Sequence, residues 1–550
     1  MAISENDSTA QPRQARSHAS ENQRRSLLRV PARPADRSAR VLTLWAVYTL
    51  EVLIVAVLRI PHDLDFFAFA FGDRGSWLVV QYLTARGYRP TIDFGFPYGL
   101  LPVMLGGVWF RVFGLTPAAF KLAMTAGGIA MAWGMARFAS AMRLSRIGQT
   151  LIILTLPVAI QSSLPSLSHL LEAVLLCLAL GEHSQGNRSA ALALTTTACF
   201  AKPALGYLYG FLLLVMIVAQ CRRRGDADDS PKMNWPALGR ALMPAAVTGV
   251  LMLVVLGSIY GVRPLVASVL PLNGMKIYAT NHFGFFTPWS RTFWYPARDA
   301  IGAYVGTIAP FWMGSTVWLA LAGLFAGWQL LSAPVRSAPT RTRDEIIFCC
   351  GLLQTLFVLR LFGPPMSWTY YPYLLVMGVA AASAVSYGPA LVAFALAVVV
   401  LVPQLVYLAS GALQWKSMTP SPVTAGLWAD ANERAEWANV QRLVAGHRAV
   451  AIGVAGCVPL LAPNFEPPIG AYLVPDESTP TEVERTIARV KTAEMVVRPA
   501  SVSIGDPIAS WPELTRAFDN FDLVWKGRVY QVCRRRPRSA VHPSIASINQ

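Results

Sequence analysis

The chain is expected to fold as an α-helical polytopic membrane protein with about eleven transmembrane helices and a small C-terminal α/β extracytoplasmic domain. Three observations predict this. Of 550 residues, 54% are apolar and 14% charged, and the mean hydropathy is +0.43. A soluble domain carries about 25% charged residues. Twelve apolar segments recur between residues 41 and 410, several reaching the roughly 20 residues that cross a bilayer. Beyond 410 the pattern changes to short strand-like and helix-like runs.

Residues 1–40 hold eight arginines among Ser, Gln and Pro. They form no apolar run and are read as a disordered basic cytoplasmic tail. The tail has no apolar core of a cleavable signal, so segment 41–60 is expected to remain as an anchor. The other apolar segments are 98–114, 117–140, 148–164, 167–181, 189–202, 203–220, 238–260, 303–331, 345–362, 370–386 and 389–410. Basic loops follow at Arg143/Arg146, Arg188, Arg222 to Arg224 with Lys232, and Arg336/Arg341/Arg343. Positive-inside orientation wants all of these and the tail on one side. That holds if 98–114 lies flat at the outer interface, which Pro102, Gly106, Gly107 and Arg111 suit. The N-terminus is then cytoplasmic and the C-terminus extracytoplasmic. The net charge of +17 is accounted for by orientation and does not call for a nucleic-acid partner.

The resulting domain plan is a tail (1–40), a transmembrane domain (41–410) with long outer loops 61–116 and 262–302, an α/β domain (411–537) and a disordered end (538–550). Residues 427–446 predict an amphipathic helix with Trp428, Trp437, Val440 and Leu443 on one face. RAVAIGVAG (448–456), AEMVVRPAS (493–501) and DLVWKGRVYQVCRR (522–535) predict strands. TPTEVERTIARVKT (479–492) opens with a capping signature and predicts a helix. Cys177, Cys199, Cys221, Cys349 and Cys350 lie in or beside spans as packing residues. Cys457 and Cys533 lie in the outer domain, where a disulfide is an open alternative.

Segment 61–99 gathers four acids, Asp63, Asp65, Asp73 and Asp93, in a chain otherwise poor in them. Gly72-Asp73-Arg74-Gly75 opens a helix-like stretch, SWLVVQYLTAR, ending at Gly87. Asp73 reads either as a first-turn acid held by the helix dipole or, with Asp93 on the same outward segment, as a base for an acceptor hydroxyl. Asp63-Leu64-Asp65 is a D-x-D, read as a weak divalent-cation pair or as a solvated span end; no other metal or cofactor is expected. Lys202-Pro203 and Arg360 sit at span ends, where a cation can hold a phosphate or snorkel to the interface. Lys276, His282 and the aromatics of loop 262–302 suit a lid or an interfacial helix. His169 and Glu172 start a short span, and Glu172 would be costly there if unpaired. Tyr370 and Tyr371 suit a sugar pocket or an interfacial belt. The chain holds no P-loop, G-x-S-x-G or H-E-x-x-H.

These segments resemble the C-type glycosyltransferase superfamily (GT-C), integral membrane enzymes that include protein O-mannosyltransferases and the lipid A aminoarabinose transferases. The resembling residues are Asp73 a dozen positions past the first span, the helix SWLVVQYLTARG, YRPTIDFGFPYG, the juxtamembrane helix ending VFG (112–114), the Lys202-Pro203 turn, Asn281-His282-Phe283 and the stretch Arg360 to Tyr371. Many members carry Asp-Glu where this chain has Asp73-Arg74, which leaves the second acid to Asp93 or Glu172. The resemblance implies transfer of a sugar from a polyprenyl-phosphate donor to a lipid, glycan or protein acceptor on the outer face; the short charged loops and the Arg-rich tail fit a bacterial inner membrane. Asp73 would be the base, Lys202, Arg360 and Lys276 the donor-phosphate ligands, and loop 262–302 a lid. The alternatives are a polytopic lipid or polysaccharide transporter or flippase, which would want ionisable groups midway across spans and internal repeats, and a glycan polymerase or ligase.

Overall fold

The computed structural model describes residues 34–146, 148–150, 152–153, 156, 166–203, 205–222, 233–270, 324, 326–328, 330, 338–358, 409, 411–453, 456–473, 478–500 and 507–537. The first part is helical: α1 (Pro34–Leu58), α2 (Phe66–Ala70), α3 (Asp73–Ala85), α4 (Leu101–Phe113), α5 (Pro117–Ala141), α6 (Leu167–Ser184), α7 (Arg188–Ala201), α8 (Leu205–Arg222), α9 (Trp235–Tyr260), α10 (Val262–Val269) and α11 (Ala338–Val358). Among the described residues three helices are long and apolar enough to cross a membrane, at Ser38–Leu58, Leu205–Arg222 and Trp235–Tyr260. The expected segment 370–386, nearly all of 303–331 and 389–410, and most of 148–164 lie outside the described residues. With 13 residues, α4 is about 20 Å long at 1.5 Å per residue, short of the roughly 30 Å hydrocarbon core. Its Leu105, Val108, Val112 and Phe113 are exposed while Leu101, Val103 and Phe110 are buried, so it carries one free apolar face.

Helices α1, α5, α6, α7 and α9 pack in sequence against one another, with α8 against α7. Ion pairs order one end of the bundle. Arg137 bonds Glu182 at 2.6 Å, and Glu345 accepts from Arg188 at 2.6 Å and Arg341 at 3.1 Å. Arg40 donates to the Leu144 carbonyl at 3.4 Å. The basic tail boundary and three basic loops therefore meet at the same end.

Residues beyond 410 form an α/β domain. Its elements are β1 (Met418–Pro420), β2 (Trp428–Asp430), α12 (Ala431–Val444), β3 (Ala449–Ala451), α13 (Val458–Leu461), α14 (Pro480–Val490), β4 (Met495–Pro499), α15 (Pro512–Phe518), β5 (Phe521–Lys526) and β6 (Tyr530–Arg535). The main sheet runs β3-β4-β6-β5, with β3 and β4 parallel and the other pairs antiparallel. Asp430 caps α12 through the Glu433 N–H. Thr479 and Glu482 close a reciprocal capping box on α14, as the sequence signature predicts.

Two predicted elements differ. The run 522–535 is a hairpin of two strands, because Gly527 sits between Lys526 and Tyr530 and lets the chain reverse. Trp428 lies on β2 and is not on the face of α12, because Asp430 starts the helix two residues later.

Side chains of a strand alternate between faces, and this sheet uses both. Met495, Val497, Tyr530 and Val532 join the large core that is continuous with the helical bundle. Val450, Val496 and Cys533 face a separate core with Ile487, Val490, Leu514 and Phe521. One face therefore holds the domain's own helices α14 and α15. The other is closed by α12 and segment 66–71.

Candidate functional site

Segment 61–99 is fastened to the α/β domain along its length. Trp437 of α12 is 1% exposed and lies among four rings: Phe66 at 4.9 Å, Tyr530 at 5.3 Å, Phe465 at 5.9 Å and Phe71 at 6.4 Å between centroids. The Cys457 N–H donates to the Phe69 carbonyl at 2.9 Å, and Trp428 N–H to Leu64 at 2.9 Å. Two glycines allow this approach. A Cβ on Gly456, whose φ is +124°, would meet Ala70 O at 2.1 Å, and one on Gly75 would meet Phe69 O at 1.8 Å and Cys457 N at 2.8 Å. Further along, Glu482 accepts from Gly95 N–H at 2.8 Å, and Arg485 donates to the Asp93 carbonyl at 3.0 Å.

Asp73 stands in the first turn of α3, after Gly72 in extended conformation. The adjacent residues pin that turn. Arg74, 8% exposed, donates to the His62 carbonyl. Ser76, fully buried, lies 2.6 Å from the Asp73 carbonyl oxygen and 2.7 Å from the Tyr472 hydroxyl. The Asp73 side chain itself is half-buried. Burial raises its pKa, because a carboxylate loses solvation among protein atoms. A carboxylate so perturbed holds a proton more firmly than one in water, which favours it as an acceptor of a proton.

From α3 an aromatic chain leads to the helix ends. Trp77, one turn beyond Asp73, stacks on Tyr98 at 6.5 Å, and Tyr98 meets His169 edge-on at 5.4 Å. His169 and Glu172 start α6, and Lys202 caps the end of α7. All three are buried: His169 2%, Glu172 0% and Lys202 4% exposed. Both His169 and Glu172 interact electrostatically with Lys202. Glu172 also accepts from the Leu205 N–H at 2.9 Å, closing the Lys202-Pro203 turn. The Gly99 N–H donates to the Ala201 carbonyl at 3.1 Å, which seats the end of segment 61–99 against the same turn.

The four acids of the segment therefore stand in different circumstances. Asp63, 3% exposed, is ion-paired to Lys121 and hydrogen-bonded to His62 at 3.1 Å. Burial alone would raise its pKa; the His62 bond and the Lys121 charge pull it to about 2. Asp65 caps α2 by accepting from Ala68 N–H at 2.8 Å. The two D-x-D carboxylates thus each have a protein partner, and no group of three metal-ligating side chains occurs among the described residues. The Asp93 carboxylate accepts from the Arg89 N–H at 2.7 Å and from its Nε at 3.4 Å, which makes it the closure of its own turn. Arg360, Lys276, His282, Tyr370 and Tyr371 lie outside the described residues. Cys457 and Cys533 are both free and buried.

Several residues that pack on segment 61–99 carry no signal in the sequence. Tyr472 and Lys121 reach the site across 396 and 58 positions of chain. Tyr472 also lines a cleft of about 90 Å³ between Ala70, Phe71 and the C-terminal end of β3, with Glu466, Thr486 and Arg489 among its polar walls. Glu433, which accepts from the Tyr530 hydroxyl at 2.8 Å, has its pKa raised to about 7 by burial, with Asp65 and Asp430 adding repulsion.

No protein-family model matches the chain, and no curated protein matches it. Among solved structures the chain is similar to the apo oligosaccharyltransferase of Archaeoglobus fulgidus, at 12% identity and a TM-score of 0.41 over 68% of this chain and 56% of that one. It thus spans little more than half the length of that protein. It is also similar to ArnT from Cupriavidus metallidurans bound to undecaprenyl phosphate, at 12% identity and TM-score 0.35 over 89% and 97% of the two chains. A third similarity is to the arabinofuranosyltransferase AftD from Mycobacteria, at 16% identity and TM-score 0.39 over 89% and 41%.

Proposed function

We propose that the chain is a membrane glycosyltransferase that moves a sugar from a polyprenyl-phosphate donor to an acceptor hydroxyl on the extracytoplasmic face. The observation that carries this reading is the environment of Asp73. It is a half-buried carboxyl with a raised pKa, on a helix turn pinned on both sides, joined by Trp77, Tyr98 and His169 to the buried Lys202. Asp73 takes the proton of the acceptor hydroxyl as its oxygen attacks the anomeric carbon. The bond from that carbon to the donor phosphate oxygen breaks, and the phosphate leaves with the electron pair. A cation beside the leaving phosphate stabilises the charge that develops on it, and Lys202 is the described residue assigned to that task, with Arg360 and Lys276 as further candidates. Glu172 holds the Lys202 turn. Asp93 is kept as a second acid of lesser weight, since Arg89 already occupies its carboxylate.

In the proposed topology eleven helices span a bacterial inner membrane, α4 lies at the outer interface, and segment 61–99 and the α/β domain are extracytoplasmic. The Arg40 bond to the Leu144 carbonyl and the ion pairs of Arg137, Arg188 and Arg341 at the same end support this arrangement. The test is incubation of membranes with a panel of labelled polyprenyl-phosphate sugars, with and without EDTA, for wild type and Asp73→Asn. Transfer by wild type that Asp73→Asn loses while still accumulating in the membrane supports the reading. Normal turnover by Asp73→Asn removes Asp73 as the base.

A further inference from the structure

We propose that Tyr472, contributed by the α/β domain, is a positioning residue for Asp73, acting through Ser76. The inference rests on the proposed role of Asp73. A serine hydroxyl carries one proton and two acceptor lone pairs, and a carbonyl oxygen only accepts. The Ser76 Oγ lies 2.6 Å from the Asp73 carbonyl, so the serine proton goes there. The Tyr472 hydroxyl, 2.7 Å from the same Oγ, is then the donor of the second bond. The result is a directed relay, Tyr472 O–H to Ser76 O–H to Asp73 C=O, in which each bond polarises the next.

The relay lies in a dry place. Ser76 is fully buried and Tyr472 is 7% exposed, so water does not stand in for a missing hydroxyl. It acts on the main chain of Asp73, which fixes the direction in which the Cα–Cβ bond leaves the helix. The first turn of a helix lacks partners for its N–H groups, and no side chain caps α3. Two side-chain contacts hold the turn from outside: Arg74 to the His62 carbonyl on one side and Tyr472, through Ser76, on the other. Tyr472 comes from a domain that joins the site from 396 residues away, so assembly of that domain sets the aim of the base.

The test compares Tyr472→Phe, which keeps the ring, with Ser76→Ala, the double variant and Asp73→Asn, all in membranes active for transfer. Loss of orientation at a reacting group costs on the order of a hundredfold per ångström. Tyr472→Phe is expected to lower kcat by about tenfold to a hundredfold with the donor KM unchanged. It should also move the acidic limb of the pH–rate profile to lower pH, because a loosened turn admits water to the Asp73 carboxyl. Ser76→Ala should reproduce both effects, and the double variant should be no worse than the worse single one. Unchanged thiol labelling of Cys457 confirms that the domain remains docked. A Tyr472→Phe enzyme with wild-type kcat and pH profile beside an inactive Asp73→Asn overturns this inference and leaves the proposed function standing. Full activity in Asp73→Asn overturns both. A loss that adds to that of Ser76→Ala overturns the relay.

Discussion

Truncating Trp437 to alanine should release the α/β domain from segment 61–99. The indole is 1% exposed and touches two rings from the outer segment, Phe66 and Phe71, and two from the domain, Phe465 and Tyr530. Removing a buried aromatic side chain costs about 3–5 kcal/mol. The domain's own core, around Val490, Val496 and Leu514, lies on the opposite face of the sheet, so most of this cost falls on docking. Cys457 reports on it. Its thiol is fully buried and lies 3.2 Å from the Phe69 carbonyl, and it becomes accessible only when the domain lifts. With a maleimide that reacts more slowly than the interface recloses, the labelling rate follows the open fraction. At 1.4 kcal/mol per tenfold, a cost of 3–5 kcal/mol raises that rate by about 150-fold to several thousandfold. Cys533, in the separate core, serves as the internal control and is read by peptide mass spectrometry in the same sample. A rise at Cys457 of less than about tenfold, or an equal rise at both cysteines, would refute the assignment of this cluster as the docking seam.

Other expectations follow from single contacts. Lys121→Met leaves the buried Asp63 carboxylate without its cation and should cost about 3–5 kcal/mol, measured by reversible unfolding in mixed micelles; Asp63→Asn in the same background should recover most of it. Asp63, held at about 2, contributes stability that is complete above its ordinary pKa of 3.8 and is lost as pH falls through 3.8 toward 2. Its drop in pKa is worth about 2 kcal/mol at roughly 1.4 kcal/mol per pH unit. Glu433 has the opposite sign: its folded pKa, about 7, lies above the ordinary 4.5, so docking weakens as pH rises between them. The ratio of Cys457 labelling in wild type to that in Glu433→Gln should climb over this window by at most about tenfold per pH unit, and a flat ratio would refute the coupling. Lys202→Ala should raise the donor concentration needed for half-maximal transfer; unchanged donor dependence leaves Lys202 a structural role only.

What could be read in the sequence follows the range of each interaction. Helix α3 is written in thirteen consecutive residues with its glycine stop two positions on, and the capping box of α14 in four, so both were legible. The β5–β6 hairpin was not, because Lys526-Gly527-Arg528 interrupts an otherwise strand-like run and the reversal shows only in the pairing. The placing of Asp73, Lys202, His169 and Glu172 at helix ends was legible from the apolar pattern. What surrounds them was not. The Lys121 pair with Asp63, the Arg74 bond to His62 and the Tyr472 bond to Ser76 depend on how helices and domain come together. The D-x-D pattern was a local signal as well, and the packing gives its two acids separate partners.

The closeness of Gly456 to Ala70 has a consequence for biosynthesis. The turn that carries Asp73 is synthesised long before the strand that completes its platform, Tyr530–Arg535. A nascent chain can thread its early helices into the bilayer with an outer segment that stays unfinished until Tyr530–Arg535 is made; on the proposed function it spends no donor before then. Stop codons placed between the end of the helical part and Tyr530 should thus yield proteins that insert and accumulate and, on the proposed function, perform no transfer.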